Sequence, residues 1–296
     1  MDPHFRRDRS GIMGGVAIEM VDPEVALEPV ERGVYDVAVL QKALDLLEAI
    51  TLGPESGLRE LSSATGASKA SSFRVLSTLE HRGYVVKDPE TRKYTPGPRL
   101  ISLSIGVVQR MELVPLTRPL LEDLQREFGE TVNLAMLDGN EIIYLDIVES
   151  SRGLRMAAHG GARDAVHSTA LGKALLSCLP MEEARQLLER NDRIPATRRT
   201  IVTLDALMAE LAVTRERGYS IDDEENEIGA RCVGVAVPGP DGRPRAAISI
   251  SGPAARMHDR DIDRIGARLK MAAVEVTQAM GWQTAAAPRG TARSPR

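Results

Sequence analysis

Apolar positions change their period several times along this chain, and each change marks a predicted element. Val39, Leu40, Ala43, Leu46, Leu47 and Ile50 recur at three- and four-residue intervals over residues 37–50, which is one face of an α-helix. Gly53-Pro54-Glu55-Ser56-Gly57 reads as a loop. A short helix follows from Leu58, then a tight turn at Thr65 and Gly66, then a second helix opened by Ser68. On that helix Ser72, Val75, Leu76 and Leu79 share a packing face, while Lys69, Ser71, Phe73, Arg74 and Thr78 fall elsewhere. A β-hairpin with its tip at Asp88-Pro89-Glu90-Thr91 completes residues 58–97. Helix, turn, helix, hairpin is the order of a winged helix-turn-helix.

The pattern continues with a new helix starting at Pro98, a favourable first position, whose broad apolar face is Leu100, Leu103, Val107, Val108 and Met111. Such a face predicts burial against a neighbour, here the same helix of a second subunit. Leu120, Leu121, Leu124 and Phe128 predict a helix over 119–128, ended near Gly129. Strands are predicted over 131–137 and 141–148, joined by the hairpin signal Asp138-Gly139-Asn140. Helices over 170–179, 181–190 and 204–217 come next, then strands over 231–237 and 245–251, and a closing helix over 261–280. Helices around an antiparallel sheet indicate an α+β sensor domain.

Charge sharpens the functional reading. The 296-residue chain carries a net charge of −4, so affinity for nucleic acid must come from a local patch. Between Lys69 and Arg99 seven basic side chains oppose three acidic ones, a local excess of four positive charges, with Lys87, Arg92 and Lys93 flanking the hairpin turn. Arg, Lys and short hydroxyls near the start of the second helix suit a DNA major groove; a solvated face of an ordinary helical domain is the alternative. Residues 1–34 mix Gly, Pro and charge and read as a flexible arm, in which Arg6, Arg7 and Arg9 are more simply a solvated tail than phosphate contacts. Residues 284–296 read as a disordered tail. No apolar run approaches the roughly 20 residues of a membrane span, and a cytoplasmic protein is expected. Cys178 and Cys232 form no Cys-x-x-Cys pair, which argues against a zinc ribbon or a disulfide framework; no metal or cofactor is expected.

Two sets of residues carry a family resemblance. One is Arg82-Gly83-Tyr84 with Asp88-Pro89-Glu90-Thr91 and Gly97-Pro98-Arg99-Leu100. The other comprises Thr131-Val132-Asn133-Leu134-Ala135, Thr169-Ala170-Leu171-Gly172-Lys173-Ala174, Arg217-Gly218-Tyr219, Asp222-Asp223-Glu224-Glu225, Arg231-Cys232 and Ser249-Ile250-Ser251-Gly252-Pro253. In order and spacing, from about Val37 to Gly281, the chain resembles the IclR family of bacterial transcriptional regulators. The resemblance implies a winged helix-turn-helix DNA-binding domain over 35–97, a linker helix over 98–114 and a GAF-like effector-binding domain over 115–283. It also implies a homodimer, in some cases a tetramer, that binds a palindromic operator in double-stranded DNA and responds to a small organic or aromatic acid, most simply as a repressor. Two positions depart from the pattern: Arg92 stands where the family usually has Gly, and Ser72 where a small apolar residue is common.

Candidate DNA contacts are Lys69, Ser71, Phe73 and Arg74 on the helix and Arg92 and Lys93 on the wing. Matched to the family's pocket are backbone amides near Gly161 and Ala162, the side chains of Asp222, Cys232, Ser249 and Ser251, and an apolar wall of Leu154 and Met156. Backbone amides and serine hydroxyls hold a carboxylate without a pocket lysine; each residue alone is equally consistent with ordinary packing. His167-Ser168-Thr169 reads as a helix cap rather than catalytic equipment. Gly172-Lys173 lacks the spacing of a phosphate loop. No catalytic residue is assigned, and the competing readings are an enzyme using Cys232 with His167 or Asp222, or a sensor for a protein partner.

Overall fold

The computed structural model describes residues 37–110, 112–156, 159–190 and 192–282. The arm predicted over 1–34, with Arg6, Arg7 and Arg9, and the tail predicted over 284–296 lie outside these residues. The chain divides after Gly106 into two compact units.

In the N-terminal unit, α1 (Ala38–Leu52), α2 (Leu58–Ala64) and α3 (Lys69–His81) precede a hairpin of β1 (Val85–Lys87) and β2 (Tyr94–Pro96). Their apolar faces meet in one core of Leu46, Ile50, Leu61, Val75, Leu76, Val85 and Tyr94. The turn between α2 and α3 passes through Gly66 at φ +63°, a backbone state that suits glycine. Ser68 caps α3 by accepting from the Ser71 amide at 3.3 Å. Ser56 and Tyr94 form an antiparallel bridge, so the stretch predicted as a loop adds a short third edge to the wing. α4 (Pro98–Arg110) begins at the proline, as expected.

The second unit begins within the last turns of α4, and its first whole helix is α5 (Leu113–Phe128), which starts six residues earlier than the pattern predicts. Pro115 falls in the first turn, where its missing N–H costs nothing, and Pro119 is carried inside the helix. The sheet follows: β3 (Thr131–Asp138), β4 (Glu141–Val148), β5 (Arg163–Ala165), β6 (Ser220–Asp223), β7 (Ala230–Pro238) and β8 (Pro244–Pro253). Its order is β5-β4-β3-β8-β7-β6, antiparallel throughout. Strand alternation sends Val132, Leu134, Val233, Val235, Ile248 and Ile250 to one face, where they pack with α5 and α9 (Asp259–Ala279). The other face meets α6 (Ala170–Cys178), α7 (Met181–Glu189) and α8 (Leu204–Arg217) through Ala135, Ile142, Leu171, Leu175 and Leu211. The result is helices on both sides of a six-stranded antiparallel sheet, the α+β architecture expected.

Candidate functional site

In the N-terminal unit the inner face of α3 buries Ser72, Val75 and Leu76. That leaves Lys69, Ala70, Phe73, Arg74 and Thr78 exposed, and Ser71 half-buried. On the wing, Asp88 Oδ1 accepts from the amides of Glu90 at 2.8 Å and Thr91 at 2.7 Å, and these bonds hold its carboxyl below the usual carboxylate range. The tip then turns through Arg92 at φ +61°. The position where the family usually has Gly thus keeps a left-handed backbone with a side chain that disfavours it, by roughly 1–2 kcal/mol. Arg92 and Lys93 are exposed, whereas Lys87 sets its ammonium 5.3 Å from the centre of the buried Tyr94 ring.

The second unit contains a cavity of about 80 Å³ between the sheet and the start of α6. Register builds its floor. Asn133 pairs with Ser249, and Asp222, Cys232 and Ser251 lie opposite one another across β6, β7 and β8, so the period of two puts all five on the face away from α5 and α9. Met156 lines the cavity as well. Five of the eight expected pocket residues, Met156 among them, are therefore brought together, and Asn133, Tyr144, Asp164, Thr169 and Asn226 join them.

Leu154, Gly161 and Ala162 are placed differently. Leu154 is 70% exposed and does not line the cavity. The Gly161 amide donates to the Tyr144 carbonyl at 2.8 Å and the Ala162 amide to His159 at 3.0 Å. Those donors are consumed by the chain's own turn, and Ala162 packs against the core of the helical face. The segment before them is tied down: the Leu154 carbonyl accepts from Arg256 at 2.8 Å and the Met156 carbonyl from the Thr131 hydroxyl at 3.0 Å. Arg256 in turn grips the buried Glu130 through both carboxylate oxygens. This is what presents Met156.

Asn133 organises the floor. Its Nδ2 donates to Ser249 Oγ at 3.1 Å and Ser251 Oγ at 3.0 Å. Both serines accept from Asn133 and lie 3.5 Å from each other, where one hydroxyl can donate to its neighbour, so at least one hydroxyl hydrogen is left to donate into the cavity. Asn133 Oδ1 is buried without a partner among the described residues. The cavity also holds acids: Tyr144 donates to Asp164 Oδ2 at 2.9 Å, and burial raises the pKa of both groups. Burial pushes Asp222 up to about 7 against the amide bonds it accepts from Glu225 and Asn226 and the nearby Lys173. Burial and the Asp222 charge push the Cys232 thiol well above its ordinary value. Lys173 is itself fully buried and bound to Glu225 at 2.5 Å; among the described residues, no lysine or arginine lines the cavity.

The remaining motifs are structural. Thr169 caps α6 by accepting from the Gly172 amide at 3.1 Å, as expected of that tripeptide. A Cβ on Gly172 would come within 2.3 Å of the Val166 backbone, so glycine there allows α6 to press onto the preceding chain. His167 is buried, its Nε2 lies 3.1 Å from the Ile194 carbonyl, and burial lowers its pKa. Among the described residues, no three His, Cys, Asp or Glu side chains converge as metal ligands.

Asn133 and Tyr144 had a legible signal, polar groups at inward positions of otherwise apolar strands. Asp164 and Asn226 had none, since both lie in short segments without periodicity.

Residues 39–89 match the IclR helix-turn-helix domain, and residues 105–278 match the bacterial transcriptional regulator IclR C-terminal domain. The transcriptional repressor IclR of Escherichia coli K12 is 36% identical over 262 residues, covering 88% of this chain and 94% of that protein. The crystal structure of the Thermotoga maritima IclR superposes with a TM-score of 0.67 at 32% identity, covering 83% of this chain and 99% of that one. An IclR homologue from Microbacterium hydrocarbonoxydans, solved with 4-hydroxybenzoate, shares the fold with a TM-score of 0.72 at 21% identity, covering 83% of this chain and all of that one.

Proposed function

This chain belongs to the IclR family of bacterial transcriptional regulators, and on that premise we propose that it is a repressor whose operator affinity is set by a small organic acid in the cavity beside Asp222. The observation that carries the effector half is the floor made by Asn133, Ser249 and Ser251. Two serine hydroxyls held side by side, which a ligand can draw away from each other, suit the oxygens of a carboxylate, and the unpaired Asn133 Oδ1 suits a hydroxyl on the same molecule. A cavity of about 80 Å³ favours a compact acid.

The DNA half rests on the exposed Lys69, Phe73 and Arg74 of α3, with Ser71 beside them, and on Arg92 and Lys93 of the wing. Homodimer formation is supported by apolar side chains left uncovered: Val37 just before α1 and Leu40 and Leu44 on one face of it, each at least 50% exposed, and Ile101 on α4 at 63%. No helix among the described residues is long and apolar enough to cross a membrane, and a DNA-bound regulator would work in the cytoplasm. An enzyme built on Cys232 is disfavoured, because a raised thiol pKa suppresses the thiolate that does the chemistry, and His167 is turned to the Ile194 carbonyl instead.

The test is a gel-shift of full-length protein on DNA flanking its own gene, with and without a panel of small organic acids that includes 4-hydroxybenzoate. Retardation that one acid abolishes is expected. Absence of retardation on any of that DNA would refute the operator reading and favour the protein-partner alternative.

A further inference from the structure

The outer face of α3 carries an apolar patch that phosphate binding does not use. Ala70 and Phe73 are one turn apart on that face, both exposed, and Phe73 is 50% accessible. Among the described residues it is the one aromatic side chain that is half exposed, in a chain with only three Phe. It is not a displaced core residue, because Ser72, Val75 and Leu76 already fill the inner face of the helix.

Its neighbours name the surface it would meet. Lys69 and Arg74 flank it, and the local excess of positive charge over residues 69–99 complements a polyanion rather than an apolar protein face. Ala70 and Phe73 are the second and fifth residues of α3, and it is the N-terminal residues of such a helix that approach base edges. Among the base edges of the major groove, the distinctive apolar group is the C5 methyl of thymine.

We propose that Ala70 and Phe73 form a thymine-methyl contact in each operator half-site, and that Phe73 makes the affinity depend on that methyl. The inference rests on the DNA-binding reading above and goes beyond it by naming the chemical group that is read. Contacts from Lys69, Arg74, Arg92 and Lys93 position the helix, whereas Phe73 discriminates.

The experiment begins by selecting a binding sequence from a random double-stranded library with the full-length protein. Each thymine of that sequence is then replaced by uracil, which removes the methyl and leaves the pairing unchanged. The expected result is a loss of about fourfold at one or two thymines per half-site, the worth of a single buried methyl group. Phe73→Ala should bind the thymine and uracil forms equally, and Phe73→Leu should keep part of the difference. Because the side chain is exposed, both variants should melt with the wild type. Equal binding of both forms by the wild type at every position, or an undiminished uracil penalty in Phe73→Ala, would overturn the assignment and leave DNA binding intact. Failure to select any sequence would overturn the DNA-binding reading itself.

Discussion

Ser72 is fully buried in α3, and its hydroxyl meets no hydrogen-bond partner among the described residues. Helical serines usually turn back to the carbonyl four residues earlier, as Ser62 does to Leu58 at 2.6 Å. For Ser72 that carbonyl belongs to Ser68, which accepts from the Ser72 amide at 2.9 Å but not from the Ser72 hydroxyl. A buried hydroxyl left unpaired costs on the order of 1–3 kcal/mol, and alanine would fit the same space without it. Ser72→Ala should therefore stabilise the N-terminal unit by about 1 kcal/mol, raising its melting temperature by roughly 4–8 °C, with operator affinity unchanged because the residue faces the core. A drop in melting temperature would show that the hydroxyl is satisfied. Helical spacing alone reveals that Ser72 packs; that it packs unpaired depends on rotamer geometry, which no sequence pattern encodes. Arg92 is the opposite case, since a departure from the family's glycine already pointed to the position that adopts φ +61°.

α6 is anchored through Lys173, whose ammonium is completely buried and bound to Glu225 in the turn after β6. That turn also supplies Asn226 to the cavity, so the pair couples a helix of the packing layer to the cavity wall. The Gly172-Lys173 dipeptide was legible as something other than a phosphate loop, but its partner lies 52 residues away and only the fold brings them together. Removing one member of a buried pair strands the other, at about 3–5 kcal/mol, while replacing both with apolar groups is often neutral. Lys173→Met should accordingly cost several kcal/mol in chemical denaturation, and Lys173→Met combined with Glu225→Leu should recover most of it. A double variant as damaged as the single one would locate the loss in packing instead. Long elements such as α8 and β4 fall where the apolar period places them. β6 escaped because its pattern is inverted: Ser220 and Asp222 point inward and Ile221 only partly so. A strand whose inner face builds a polar cavity does not look like a strand.

At the scale of the whole molecule, operator and effector can influence each other only if each binds the two states of the protein differently, and the coupling is then reciprocal. The division into a DNA-binding unit and a sensor unit was legible, because it follows from element order and charge. The acidity of the sensor cavity was legible only in part: Asp222 was expected there through the family match, whereas Asp164 reaches it from a short strand without periodicity. That acidity makes the coupling depend on pH. Asp222 titrates at about 7 in the folded protein, against 3.8 for an unburied aspartate. Over that interval the folded state holds a proton that the unfolded chain has released, so this group's contribution to stability falls as pH rises from about 4 to 7. Under the proposed function the same proton governs ligand binding. An anionic effector beside Asp222 is tolerated when the carboxyl is neutral and repelled when it is charged, with Lys173 already neutralised by Glu225 and the Cys232 thiol held protonated by burial. For uptake of one proton on binding, effector affinity is flat below pH 7 and falls tenfold per unit above it, which makes it about tenfold weaker at pH 8 than at pH 6. The acid concentration needed to release operator DNA should rise by that factor, and operator affinity without the acid should not follow it. Asp222→Asn keeps an oxygen for the Glu225 and Asn226 amides and removes the charge, so its release curve should coincide at the two pH values. A wild-type curve that does not move between pH 6 and pH 8 would place the effector's carboxylate away from Asp222.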